Sequence, residues 1–321
     1  MGYAGSGSGR SGLPVLGRVG VWAGGADEWP VAELRRAVAV AEQLGYGALW
    51  FGETGGREAM AQAALLLAAG ERIAVVCGMA DVYARDAVAT AAGVRTLEEA
   101  FPGRFLAALW ESHPTLAQEV RGHAYRPAVE MLRAYLEGLD AAPFGPPGRG
   151  GGRVPRLVSA LGREVLEVAA ESADGALVFG LPVAHTREAR RLLGPEALLA
   201  VVQLCVLAPD APDPAAARRA ATGLAAAAMP NRRELLRASG HRQLDPPGPE
   251  LVDALVAHGD AAAVAARIRE HREAGADHVA LHVLSLDGPD GPDGSNGPGV
   301  PERAWARLAA ELGPETMGRE R

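Results

Sequence analysis

Four side chains that can do chemistry arrive together at Trp110-Glu111-Ser112-His113, directly after the apolar run Phe105 to Leu109 and before Pro114. An imidazole can protonate or orient a substrate near neutral pH, and a neighbouring carboxyl can supply or accept a proton, so His113 and Glu111 are candidate catalytic groups. Glu53, which follows the apolar run Ala48 to Phe51 and Gly52, is a third. The competing reading makes all three ordinary loop residues, since loops hold most polar side chains. Leu161-Gly162-Arg163 follows another apolar run and opens a helical pattern. Amide N–H groups at such a start, with a guanidinium beside them, form a seat for phosphate; a glycine turn with a solvated arginine is the alternative. His278 and His282 are four apart and would share one face of a strand, with a packed core histidine the plainer reading of either. His123 sits in a polar stretch and reads as a surface group or a brace.

What is missing narrows the chemistry further. All 32 basic residues are arginine. Without lysine there is no Schiff-base amine, no pyridoxal phosphate anchor and no P-loop lysine. Cys77 and Cys205, the two cysteines, each lie inside an apolar run and read as buried thiols in a reducing cytoplasm. Histidines and carboxylates nowhere cluster at ligand spacing, so no metal is expected.

The elements that must position these residues alternate regularly. Apolar runs at Val19 to Trp22, Ala48 to Phe51, Arg72 to Cys77, Phe105 to Leu109, Leu157 to Leu161, Ala176 to Phe179, Leu199 to Leu207 and His278 to Leu284 are strand-like, and a helical pattern follows nearly every one. Eight strand-then-helix units in 321 residues predict an α/β fold, a (β/α)8 TIM barrel, with an open doubly wound sheet as the alternative. In a barrel the working face is built after the strand ends, here Ala23 and Gly24, Gly52 and Glu53, Gly78 to Asp81, Trp110 to His113, Ser159 to Arg163, Phe179 and Gly180, Gln203 and His282. Residues 144–155 are too rich in glycine and proline for a regular element and read as a linker, with a domain boundary as the competing reading. Between Pro209 and Gly259 the rhythm breaks into helical pieces, including Pro249 to His258, around Asp245-Pro246-Pro247. The expected organisation is a flexible arm over residues 1–17, one barrel domain over 18–312 with an insertion at 209–259, and a tail over 313–321.

The formal net charge of −7 and sequence pI near 5.7 argue against nucleic acid or an anionic membrane as partner, because both reward clustered positive charge. No run of 18 apolar residues exists, and the Gly/Ser-rich start lacks the apolar stretch of a secretory signal. These features predict a cytoplasmic protein.

Taken in order, Gly45-Tyr46-Gly47-Ala48-Leu49-Trp50-Phe51, Tyr83-Ala84-Arg85-Asp86, Leu97 to Phe105 with its Pro-Gly-Arg-Phe, Ser112-His113-Pro114, Arg121-Gly122-His123-Ala124-Tyr125, Ala173-Asp174-Gly175-Ala176 and Ala274 to Val279 form a series. From about Gly20 to Leu284 the chain resembles the luciferase-like monooxygenase superfamily, in particular its coenzyme F420-dependent oxidoreductase branch. That resemblance implies a barrel with an insertion before the last strand and a deazaflavin (F420) or flavin (FMN) across its C-terminal mouth. It also implies hydride transfer to or from a small organic substrate, as in secondary metabolism, and pairing into a homodimer. Gly78, Met79, Asp81, Trp110, Ser112, Ser159, Leu161, Gly162 and Arg163 would line the cofactor. The chain departs from relatives where Trp110 and Glu111 replace a glycine-rich stretch and Asp81 replaces an asparagine. Two carboxylates there would oppose an anionic cofactor tail unless Arg85 and Arg163 offset them, so a member without redox cofactor, acting as an acid/base enzyme or a binding protein, is the alternative.

Overall fold

The eight apolar runs become strands, joined by a ninth at residues 256–259, all parallel, in a computed structural model, which describes residues 12–143, 145, 153–208, 214–229, 232–285 and 299–317. The order is β1 (Val19–Trp22), α1 (Val31–Leu44), β2 (Ala48–Phe51), α2 (Ala59–Leu67), β3 (Ala74–Asp81), α3 (Ala87–Ala100), β4 (Phe105–Trp110), α4 (Ala128–Ala141), β5 (Arg156–Ser159) and α5 (Arg163–Ser172). It continues with β6 (Gly175–Phe179), α6 (Val183–Leu193), β7 (Leu198–Leu207), α7 (Pro214–Ala228), α8 (Arg233–Ala238), α9 (Pro249–Leu255), β8 (Val256–Gly259), α10 (Ala261–Glu273), β9 (His278–Ser285) and α11 (Glu302–Met317). Each strand from β1 to β7 pairs with the next, β7 pairs with β9, and β9 returns to β1 through Val19↔Val279 and Val21↔Leu281. Eight strands therefore close into a parallel barrel with helices around it, as the alternation predicts.

Side-chain alternation along each strand makes two layers of core. Ala48, Trp50, Ala74, Val76, Leu106, Ala108, Leu157, Leu177, Ala200, Val202 and Ala280 pack inside the barrel. The residues between them, such as Leu49, Phe51, Val75, Cys77, Phe105 and Ala107, join the layer beneath the helices. Small alanines leave the interior room for large rings. Gly78 serves the same end, since a Cβ there would lie 2.8 Å from the Trp50 ring and 2.9 Å from Leu177. Side-chain caps start several helices: Glu58, Asp86 and Asp260 each accept the amide three residues on.

The N-terminal end of the barrel is closed by polar contacts within an apolar floor. Trp50 donates its indole N–H to His278 Nε2 at 2.9 Å, and His278 Nδ1 lies 3.0 Å from the Gly17 carbonyl. Those bonds fix the tautomer with the proton on Nδ1, and burial holds the ring neutral by lowering its pKa to about 4. Gly20 makes the room, because a Cβ there would lie 2.7 Å from the imidazole.

Four boundaries differ from the sequence reading. Residues 12–17 do not behave as a free arm: Leu16 is 4% exposed and packs with Leu13 against the interior cluster. The expected tail from 313 instead extends α11 through a kink at Gly313 (φ 67), and Met317 is buried, its carbonyl accepting the Arg18 amide at 3.3 Å. The helix expected to reach His258 stops at Leu255. Val256 begins β8, which pairs with the outer half of β7 through Leu204↔Val256 to Leu207↔Gly259. A π-helical turn, Leu116–Val120, follows β4 where a plain connection was expected. Most of the linker at 144–155 and the segment 286–298 lie outside the described residues, as do residues 209–213 and 230–231 of the insertion.

Candidate active site at the barrel mouth

The alternation that fills the barrel also decides which residues reach its C-terminal mouth. Trp22 at the end of β1, Phe179 at the end of β6 and His282 on β9 meet there. The Trp22 and Phe179 rings stand edge to face at 4.9 Å between centroids, and His282 lies 6.2 Å from Trp22 and 6.1 Å from Phe179. His282 Nδ1 is shielded from water and has no hydrogen-bond partner, and desolvation lowers the ring's pKa to about 4. It is therefore a neutral imidazole in an aromatic wall.

Across the mouth, β3 and β4 end side by side, with Asp81 opposite Trp110. The pairing slips between Gly78 and Ala80, leaving half-buried Met79 as a bulge whose carbonyl accepts the Glu53 amide at 3.1 Å. Asp81 is 1% exposed and fully engaged. One oxygen accepts the Tyr83 amide at 2.8 Å; the other accepts Ser112 Oγ at 3.1 Å and Arg121 Nε at 2.8 Å. Ser112 reaches it by adopting φ 69, a left-handed conformation rare for a residue with a Cβ. Arg121 also donates to the Thr54 carbonyl at 3.1 Å, so one guanidinium ties the loops after β2, β3 and β4 together. The offset for Asp81 is thus Arg121, where sequence reasoning named Arg85 and Arg163.

Glu111 behaves differently from its acidic neighbours. Its Oε2 is buried without a partner, and desolvation raises the carboxyl to about 7. It lies close enough to Tyr125 to help raise that phenol, after the larger effect of desolvation. Tyr125 stacks on Tyr83 at 5.8 Å between centroids, and His123 lies 5.9 Å from Tyr83. Glu111 therefore lies near stacked tyrosines from the loops after β3 and β4 and can carry its proton at neutral pH. His113 is half-buried, and its Nδ1 accepts the Thr115 amide at 3.3 Å.

Glu53 does not stand at the mouth as a free base. Arg85 clamps it with two N–H groups, one at 3.0 Å, and the Ala59 and Asp81 amides bind it at 3.1 and 3.0 Å. Those bonds make it a brace between α2, α3 and the end of β3, on the side of Cys77. Gln203 is likewise turned outward: its Oε1 lies 2.7 Å from His271 Nε2 on α10, and its amide nitrogen donates to the Leu204 and Leu255 carbonyls.

Ser159 ends β5 and is buried beside β6, paired with Leu177. Half-buried Leu161 follows, and Gly162 begins α5 without any side-chain cap, so the first amides of that helix are open to an anion. Arg163 is exposed and paired with Glu167 at 2.9 Å and Glu188 at 3.6 Å, away from the mouth. Sequence reasoning missed Arg232, just before α8. This buried guanidinium donates to the Phe179 carbonyl at 3.0 and 2.8 Å and to Ala228 at 2.7 Å, and desolvation lowers its pKa to about 10. No local motif marks it, since its partners lie in another element.

A closed barrel of eight parallel strands with alternating helices is a (β/α)8 fold. The chain belongs to the luciferase-like monooxygenase family, whose sequence profile matches residues 11–278. Its fold is similar to that of an F420-dependent secondary alcohol dehydrogenase solved with an F420–acetone adduct, at 14% identity and TM-score 0.68, covering 92% of this chain and 99% of that one. It is also similar to the coenzyme F420-dependent tetrahydromethanopterin reductase of Methanopyrus kandleri, at 16% identity and TM-score 0.67 over 95% and 100% of the two chains. The oxygenating constituent of 3,6-diketocamphane monooxygenase from Pseudomonas putida, solved with FMN, gives 12% identity and TM-score 0.67 over 95% and 100%. No curated protein sequence matches the chain.

Proposed function

We propose that this protein is an oxidoreductase that holds F420 or FMN across the barrel mouth and transfers a hydride to or from a small organic substrate. The observation that carries the reading is the pairing of the Trp22–Phe179–His282 wall with the uncapped start of α5, one strand away. A flat ring system with an anionic tail suits that combination: aromatic surface for the ring, open amides for the tail. Neutralisation of Asp81 by Arg121 and the raised carboxyl of Glu111 remove the repulsion that two bare carboxylates would impose.

Such a group supplies two-electron hydride chemistry when bound. The chain's own residues supply the rest. Trp22, Phe179 and Trp110 would exclude water from the reacting atoms, and Glu111 would hold the proton that accompanies the hydride, at an oxygen free of other partners. Neutral His282 would offer a ring nitrogen to a polar group of the ligand.

Titration of the purified protein with F420 and with FMN, followed by cofactor absorbance and fluorescence, tests this. Saturable one-to-one binding of either is expected, and failure of both to bind overturns it. Glu111, titrating near neutrality, also suits a barrel that moves protons without a redox cofactor, and the same experiment favours that reading if neither cofactor binds.

A further inference from the structure

A second concave site lies beside the mouth, where α5, α6 and α8 meet. Its cavity of about 250 Å³ is walled mainly by apolar side chains, including Leu166, Leu181, Leu192, Leu235 and Leu236. Glu188 borders it, but its carboxylate is held by Arg191 at 2.6 Å and faces Arg163 at 3.6 Å. His185 Nε2, on the same wall, is shielded from solvent and has no partner.

His241 is common to this cavity and to an adjoining one of about 430 Å³ lined by Arg237, Gly240, His241 and Arg242. The turn that joins them is built by Gly240 at φ 93, with the His241 amide donating to the Leu236 carbonyl at 3.0 Å. It brings two guanidiniums and an imidazole to one spot. Neither Arg237 nor Arg242 forms an ion pair among the described residues, although acidic residues outnumber basic ones in the chain, 39 to 32. A leucine-lined groove therefore opens onto positive charge without an ion-pair partner among the described residues.

We infer that this groove binds an amphipathic anion, an alkyl carboxylate of medium chain length, with its chain among the leucines and its head between Arg237 and Arg242. An apolar body gains by leaving water, while a carboxylate gains charge-assisted hydrogen bonds from paired guanidiniums. The groove borders the start of α5 through Arg163, and the inference does not rest on the redox reading. A further link to the mouth is α8, which begins directly after Arg232, the side chain that grips the end of β6.

Isothermal titration of the full chain with decanoate, below its micellar concentration, is the test. Saturable one-to-one binding is expected, about tenfold weaker or more in Arg237→Gln/Arg242→Gln. Ala184→Trp, at an exposed position on the groove wall, should abolish it, with thermal melts confirming that both variants fold. Absence of decanoate binding overturns the proposal. So does equal binding of decyltrimethylammonium, which would reveal a groove indifferent to charge, or equal binding of acetate, which would reveal a basic patch indifferent to the chain.

Discussion

Glu111 and Asp81 are both acidic and end neighbouring strands, yet their surroundings give them opposite properties. Asp81 accepts three hydrogen bonds, one of them from a guanidinium, whereas Glu111 is desolvated and leaves Oε2 without a partner. Neither outcome was legible in the sequence, which shows two carboxylates and an arginine forty residues beyond the first. Because Glu111 is raised from 4.5 to about 7, its contribution to stability is full below pH 4.5 and is lost as pH rises through 7. The full move corresponds to roughly 3 kcal/mol. Glu111→Gln should therefore gain in melting temperature relative to the parent as pH rises from 4.5 to 8, measured as paired melts across that range. If Glu111 is the proton donor, the same variant should also lose turnover by ~10²-fold or more and lose the fall in rate above about pH 7.

At the scale of elements, the strands and most helices could be read from alternation, because each strand is buried on both faces and each helix on one. The elements that escaped are those whose stability comes from outside their own sequence. Val256-Ala257-His258-Gly259 is too short to show a period and becomes a strand because β7 extends past β6 and leaves an edge to pair with. The π-helical turn at Leu116–Val120 delivers Arg121 to Asp81 and to the Thr54 carbonyl, a link no spacing rule announces. Arg121→Ala strands a buried carboxylate, and such a loss costs toward the lower end of ~3–5 kcal/mol, given the arginine's partial exposure. Urea denaturation should show that loss, and adding Asp81→Asn to the same chain should recover much of it.

For the whole molecule, the barrel was legible from the count of eight units, while its lower closure was not, because a Gly- and Ser-rich start reads as solvent-exposed chain. Leu13 and Leu16 instead cover the floor beneath Trp50 and His278. Leu16→Ala should cost ~2–5 kcal/mol by chemical denaturation, and removal of residues 1–17 should destabilise the fold far more than removal of residues 1–11. Acid should also find this core. Burial lowers His278 and His282 to about 4 and His271 to about 3, so the unfolded chain binds more protons as pH falls below 6.5. Stability from these groups is lost from pH 6.5 down to about 4 for His278 and His282 and down to about 3 for His271, outweighing the opposite trend of the single Glu111 in the overlapping window. Melting temperature should fall across that interval, and a variant with His278 replaced by Gln should fall less steeply.

The ninth strand carries a consequence for traffic into the site. On the edge of β7 away from β9, the first half pairs with β6 and the second half with Val256–Gly259, so the segment between β7 and β8 is stitched into the wall at its far end. Swinging that flap outward as one piece would tear a four-residue ladder, as well as the grip of Arg232 on β6. A substrate should therefore come and go on the opposite side, over the Tyr125 loop, where stacked rings can slide apart without breaking a single strand.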